Sequence, residues 1–291
     1  MSKPLCPMRN HSQYLSHHES AMETLEQAGA IQILIPYLYR DIHKGREKSA
    51  RRSGGAEQIE KQQLASLFAL CNICRRKKGR QEKAALAGAV GPLVELSRRG
   101  GVYESAIIPV LCGMAQASRR TRGELWRHHV LERLMECLDT DNFRLEALES
   151  AVAWLSYEPG KAEPVMLQAS QLERLTEVFC SAPPNSLVRV MELMLRLVAR
   201  ASRVAAALAR GRLGKRLIQL LHSSDPSVSL MALKMVKALY EVHPAPKELA
   251  ATLNLQAELQ SISASSDAQN AVLAQSLAQQ LLSALQVSSF V

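Results

Sequence analysis

Aromatic residues are scarce in this sequence, at 4% of its 291 positions. That scarcity argues against a sheet-built core, because strands favour aromatic and β-branched side chains. No apolar run approaches the ~20 residues that a membrane-crossing helix needs. The first twenty residues are polar and His-rich, unlike a secretory leader. The six cysteines, at 6, 71, 74, 112, 137 and 180, follow no framework spacing. They read as buried, reduced thiols of a cytoplasmic or nuclear protein. Clusters of His, Cys and carboxylates at metal-ligand spacing are also missing, so neither a metal nor another cofactor is expected.

What is abundant is Leu, Ala, Val and Met, within a hydrophobic share of 47%. Leu, Ala and Met are good helix formers. One phrase recurs along the chain: a small or polar lead-in, an apolar residue, then Leu-x-x-x-Leu. Its central leucines are Leu34, Leu93, Leu134, Leu175, Leu217 and Leu259, spaced by 59, 41, 41, 42 and 42 residues. The long first interval holds a Gly- and cation-rich stretch near 41–57, with Lys44, Arg46, Lys48, Arg51 and Arg52, which reads as an inserted loop. A period of about 41 without strand signals belongs to the armadillo and HEAT class of helical repeat.

A second, longer helix follows each phrase, at Glu60–Cys74, Tyr103–Ala117, Phe143–Tyr157, Leu187–Arg200, Val228–Tyr240 and Ala271–Leu285. Its apolar residues recur at intervals of three and four, as in Leu187, Val190, Met191, Met194, Leu195 and Val198. Short helices at Gln81–Leu86 and Gly123–His128 precede two of the phrases. Three helices per unit is the armadillo pattern. The expected fold is all-α, a right-handed α-solenoid of about six armadillo-like repeats over 21–291, preceded by a flexible segment at 1–20.

The net charge of +9 favours anionic partners. Cations gather where second helices end: Arg75, Arg76, Lys77, Lys78 and Arg80 at one corner, and Arg119, Arg120 and Arg122 one repeat later. Two readings compete. Cations at helix C-termini are favoured by the macrodipole, by about 0.3–1 kcal/mol each, and could be solvated caps. They could also form a basic ridge for an acidic or phosphorylated protein segment. Nucleic acid is the alternative ligand, but stacking would need aromatics among the cations, and none lies between Cys74 and Ala87.

Asn72 and Trp154 fall on second helices and are candidate partner contacts. Armadillo importins grip extended peptides with a ladder of such residues. The ladder is not repeated here, since Gly113 stands one period beyond Asn72. Cys71 and Cys74, at i and i+3 of one helix, read as core. Gly211-Arg212-Leu213-Gly214-Lys215 is too short for a phosphate loop and lacks the Ser or Thr after the lysine.

Several stretches together resemble the C-terminal armadillo region of the MAP kinase kinase kinase epsilon and fungal septation-initiation kinase family. Asn72 to Ala85 is similar to its cationic run followed by Gln-Glu-x-Ala-Ala. Ile108 to Ala115 resembles its Pro-x-Leu-Cys-Asp-Met-Ala, with Gly113 in place of Asp. Leu239 to Lys247 looks like its Tyr-Glu-His-His-Pro-Arg-Pro-Lys, and Leu281 to Leu285 fits its ending, which would put Val291 at the parent protein's C-terminus. The Gly-rich loop, His-Arg-Asp loop and Asp-Phe-Gly triplet of a kinase are absent from the sequence. The resemblance therefore implies a non-catalytic arm that docks or regulates a kinase of cell division, in the cytoplasm, with other proteins as partners.

Overall fold

The computed structural model describes residues 10–39, 53–264 and 276–283. Helices make up the regular structure of these residues. They fall into two compact units, Met1–Val130 and Leu131–Val291. Helix after helix follows the three-per-repeat order, and the chain is an all-α solenoid of armadillo type.

In the first unit, α1 (Asn10–Gln27), α2 (Ala30–Leu38) and α3 (Ser53–Cys74) form one repeat. Then come α4 (Lys78–Leu86), α5 (Val90–Ser97) and α6 (Gly101–Ala115), with α7 (Arg119–Arg127) opening the third. The long helices α3 and α6 pack side by side. Their inner faces bury Leu67, Leu70, Ile73, Ile107, Ile108 and Leu111, each no more than 1% exposed, at roughly 1.5–3 kcal/mol per side chain. Breaks between helices are set locally. Gly88, at φ +91°, ends α4 with Gly88 N–H on the Ala85 carbonyl and Ala89 N–H on that of Ala84. The Ser118 hydroxyl starts α7 by accepting from Thr121 N–H at 3.1 Å. Buried Gln63 closes α2 by donating to the Leu38 carbonyl at 2.9 Å.

Of the segment read as a leader at 1–20, residues 10–20 lie in α1. The basic insertion read at 41–57 lies mostly outside the described residues, and its end, from Ser53, is the first turn of α3.

The second unit runs α8 (Val130–Glu136), α9 (Arg144–Tyr157), α10 (Pro159–Met166), α11 (Ala169–Cys180), α12 (Pro184–Val198), α13 (Ser202–Ala209), α14 (Arg212–Leu221), α15 (Pro226–Val242), α16 (Pro246–Thr252) and α17 (Leu255–Ala264), then a helical stretch at 276–283. Pro159, Pro184, Pro226 and Pro246 each stand at a first helical position, where the missing N–H costs nothing. Within this unit, polar contacts step from one repeat to the next. Arg174 reaches Asp139 at 2.9 Å, Arg189 reaches Glu149 at 2.7 Å, Arg212 reaches Glu177 at 2.5 Å and the Arg203 N–H donates to Glu163 at 3.0 Å. Among the described residues, no helix is long and apolar enough to cross a membrane.

A candidate protein-binding surface

The α3–α4 corner is built by a sharp change of backbone direction. Helix α3 ends at Cys74, Lys77 takes an extended conformation (φ −113°, ψ 109°), and α4 begins at Lys78. Two buried side chains stitch the turn shut. Gln81 donates to the Cys74 carbonyl at 3.0 Å, and the Cys74 thiol faces the Arg80 carbonyl at 3.9 Å. Both corner cysteines lie in the core, and burial pushes the Cys71 and Cys74 thiols up to about 12. Neither is a thiolate near neutral pH, so neither serves as a nucleophile there.

The five cations of this corner divide by role. Arg80 is buried, with its side chain 5% exposed, and its Nε donates to Glu26 of α1 at 2.6 Å. Lys77 pairs with Glu19 at 2.9 Å and Glu23 at 3.0 Å, and Lys83 joins Glu26. Hydrogen bonds from Lys83 and then Arg80 hold the Glu26 carboxyl below its ordinary range. A hydrogen bond from Lys77 does the same for Glu19, and Lys77 is itself raised by Glu19 and Glu23. Helix α1 is thus an acidic brace, and Lys77 and Arg80 are its structural partners rather than members of a free ridge. Arg75, Arg76 and Lys78 stand exposed.

The second corner divides in the same way. Arg122, 42 residues beyond Arg80, is 6% exposed and points a guanidinium nitrogen at the Ala115 carbonyl at 3.4 Å, closing the end of α6. Arg119 and Arg120 are exposed. Trp154, the other candidate partner contact, lies elsewhere. It is 0% exposed, packed in the core of the second unit, and offers no surface to a partner.

Asn72 is at the surface. It is exposed on α3, one turn after Phe68 and just before Arg75, which follows the end of the helix. Opposite stand Val102, Ser105, Ala106 and Pro109 of α6, and together these residues enclose a groove of about 280 Å³. Phe68 and Val102 are 39% and 57% exposed, high for apolar side chains of their size. Pro109 lacks an N–H, so the Ser105 carbonyl on this wall has no α-helical donor. The groove therefore offers apolar contact, an amide that both donates and accepts, a backbone acceptor and a guanidinium. Sequence reasoning missed Phe68, Val102 and Pro109. The signal was available in the 68-72-75 spacing, which sets Phe68 on the face opposite the buried Leu67, Leu70 and Cys74.

Beyond Asn72 and Arg75, which line both, a second cavity of about 370 Å³ opens between α1 and the corner. Its walls include Glu19, Met22, Arg76, Lys77 and Arg80. Among the described residues, no three His, Cys, Asp or Glu side chains gather as a metal site would require.

No protein-family model matches the chain. Among curated proteins, it is 31% identical over 283 residues to MAP3K epsilon protein kinase 1 of Arabidopsis thaliana, a match covering 95% of the chain and 20% of that protein. It is 27% identical to cytokinesis protein sepH of Emericella nidulans, over 77% of the chain and 16% of the relative. Cell division control protein 7 of Schizosaccharomyces pombe is 24% identical over 80% of the chain and 22% of its own length. The chain thus spans about a fifth of the relatives it matches. Among solved structures, a designed armadillo repeat protein superposes with a TM-score of 0.58 at 16% identity, covering 88% of this chain and 99% of its own. Another, in complex with the peptide (KR)4, gives 0.60 at 14% identity, covering 87% and 99%.

Proposed function

Because this chain is homologous to one part of the larger MAP3K epsilon and cytokinesis kinases and carries none of the kinase motifs, we propose that it is a non-catalytic docking and regulatory arm of a cell-division kinase pathway. It works in the cytoplasm by holding extended, acidic or phosphorylated segments of pathway or division proteins. The observation that carries this reading is the α3–α6 groove, where exposed Phe68 and Val102 adjoin Asn72 and Arg75. A designed armadillo neighbour is described with a basic (KR)4 peptide. Here the groove walls carry Arg75 and no carboxylate, so complementarity favours a partner of the opposite sign. The apolar walls supply contact area, the Asn72 amide pairs with partner backbone, and the net charge of +9 steers an acidic chain inward.

The test is capture from extract of dividing cells by the wild-type chain, by Val102→Asp and by Arg75→Ser/Arg76→Ser/Lys78→Ser, with captured proteins identified by mass spectrometry. The expected result is a kinase-pathway or division protein retained by the wild type and lost from both variants. Nucleic acid as the dominant captured species, with a steep salt dependence, would overturn the reading. So would capture unchanged by either variant.

A further inference from the structure

Arg80 is a buried guanidinium with one hydrogen-bonding edge occupied and another empty. Its Nε meets Glu26, while its Nη2 is buried and has no hydrogen-bond partner. Most buried donors in folded proteins are satisfied, so an unmatched arginine nitrogen calls for an acceptor. Arg80 also lines the cavity between α1 and the α3–α4 corner. Arg75 and Arg76 line the same cavity and are exposed.

Charge at the corner is unbalanced in the same sense. Arg75, Arg76, Lys77, Lys78, Arg80 and Lys83 bring six positive charges. Glu19, Glu23 and Glu26 of α1 and Glu82 of α4 bring four negative ones. Two positive charges remain, which one phosphoryl group at neutral pH offsets and a single carboxylate does not. Three guanidinium groups around one cavity also suit a group with three acceptor oxygens better than one with two.

We infer that the cavity between α1 and the α3–α4 corner seats a phosphorylated serine or threonine side chain, held by Arg75, Arg76 and the free edge of Arg80. This rests on the docking reading and deepens it. Arg75 and Asn72 line both the groove and this cavity, so one bound segment can place an apolar side chain between Phe68 and Val102 and its phosphoryl group a few residues along. Lys77 and Lys83 stay with α1, and the phosphoryl group meets the cations that α1 leaves unmatched.

The probe is a fluorescent peptide library with a fixed leucine and a phosphoserine two to five residues away. It is made also with serine and with aspartate in the phosphoserine position, and titrated onto the full chain. The expected result is at least about tenfold tighter binding of the phosphoserine peptides than of either counterpart. Arg75→Ser/Arg76→Ser should abolish that preference, weakening the phosphoserine peptides far more than the serine peptides, which lose only the Arg75 contact in the groove. Both arginines are exposed, so the variant should melt with the wild type. Aspartate peptides binding as tightly as phosphoserine ones would reduce the seat to a carboxylate site and overturn the assignment. Serine and phosphoserine peptides binding alike, with both lost in Val102→Asp, would remove the seat and leave the groove standing. Peptide binding untouched by Val102→Asp would sink the groove itself. Competition by homopolymer RNA at the phosphopeptide's own affinity would hand the arginines to a nucleic-acid backbone.

Discussion

Two glycines, Gly214 buried and Gly113 half-buried, show how differently the same residue type can be constrained. A Cβ on Gly214 would stand 2.7 Å from the Ala209 carbonyl oxygen and 3.0 Å from Leu253 Cδ2. The first of these is backbone at a helix junction and cannot swing aside. A Cβ on Gly113 would run into the Gln81 amide, the far end of a flexible side chain. Gln81 could retreat, at the loss of its bond to the Cys74 carbonyl. Gly214→Ala should therefore cost about 2–3 kcal/mol, as overpacking does, and Gly113→Ala about 1 kcal/mol, the worth of one hydrogen bond. Urea denaturation of both variants measures the difference, and equal losses would refute the distinction. Neither effect was legible in the sequence, where Gly214 read only as part of a failed phosphate loop and Gly113 only as a departure from a related pattern. Close approach between residues far apart in the chain leaves no local mark. Trp154 is the opposite case. Its spacing from Ala147 and Ala151 sets it on the buried stripe of α9, so its burial was readable, but analogy with peptide-gripping tryptophans pointed outward.

At the level of elements, the long helices were legible because each carries its apolar residues at intervals of three and four against a continuous core. Helix α1 was not. Its described contacts with the rest of the unit are dominated by Glu19, Glu23 and Glu26 meeting cations 54 to 58 residues away, and a helix docked through carboxylates has no apolar stripe to reveal it. That mode of docking makes α1 sensitive to pH. The folded-state pKa of Glu26 lies below its ordinary value of 4.5. A depressed carboxylate contributes stability that is fully present above the unfolded-state value and lost as pH falls through the folded one. Protection of residues 10–27 against hydrogen exchange should therefore hold at pH 6 and decline below about pH 4.5. Glu26→Ala leaves Arg80 buried beside an empty place and should cost about 2–3 kcal/mol at pH 7. Lys83→Met should cost less than about 1 kcal/mol, because that lysine is well exposed. If both variants cost the same, the buried pair is not what holds α1.

At the scale of the molecule, the regular 41- and 42-residue intervals announced the architecture before any helix boundary was known, because every repeat solves the same packing problem with the same phrase. Such stacks derive their stability from each unit's contacts with its neighbours, so it need not be uniform along the chain. Within the second unit the middle is dense. Helix α12 buries Leu187, Val190, Met191, Leu193, Met194, Leu197 and Val198, and α14 and α15 continue that core. Towards the end the burial thins, and α16 contributes Leu249 alone to the interior from its seven residues. The ion pairs between repeats do not even this out, since Arg189 and Arg212 are about half exposed and such pairs are worth about 0–1 kcal/mol. Opening should therefore begin at the α16–α17 end of this unit and reach α12–α15 only at a free energy several kcal/mol higher. Hydrogen exchange followed by mass spectrometry, at rising sub-denaturing urea, resolves this peptide by peptide. Exchange in α16–α17 should be fast and nearly independent of urea, while exchange in α12 should be slow and fall in with global unfolding. A single protection level across all these helices would mean that the unit opens in one step and that the thin end is no weaker than the middle.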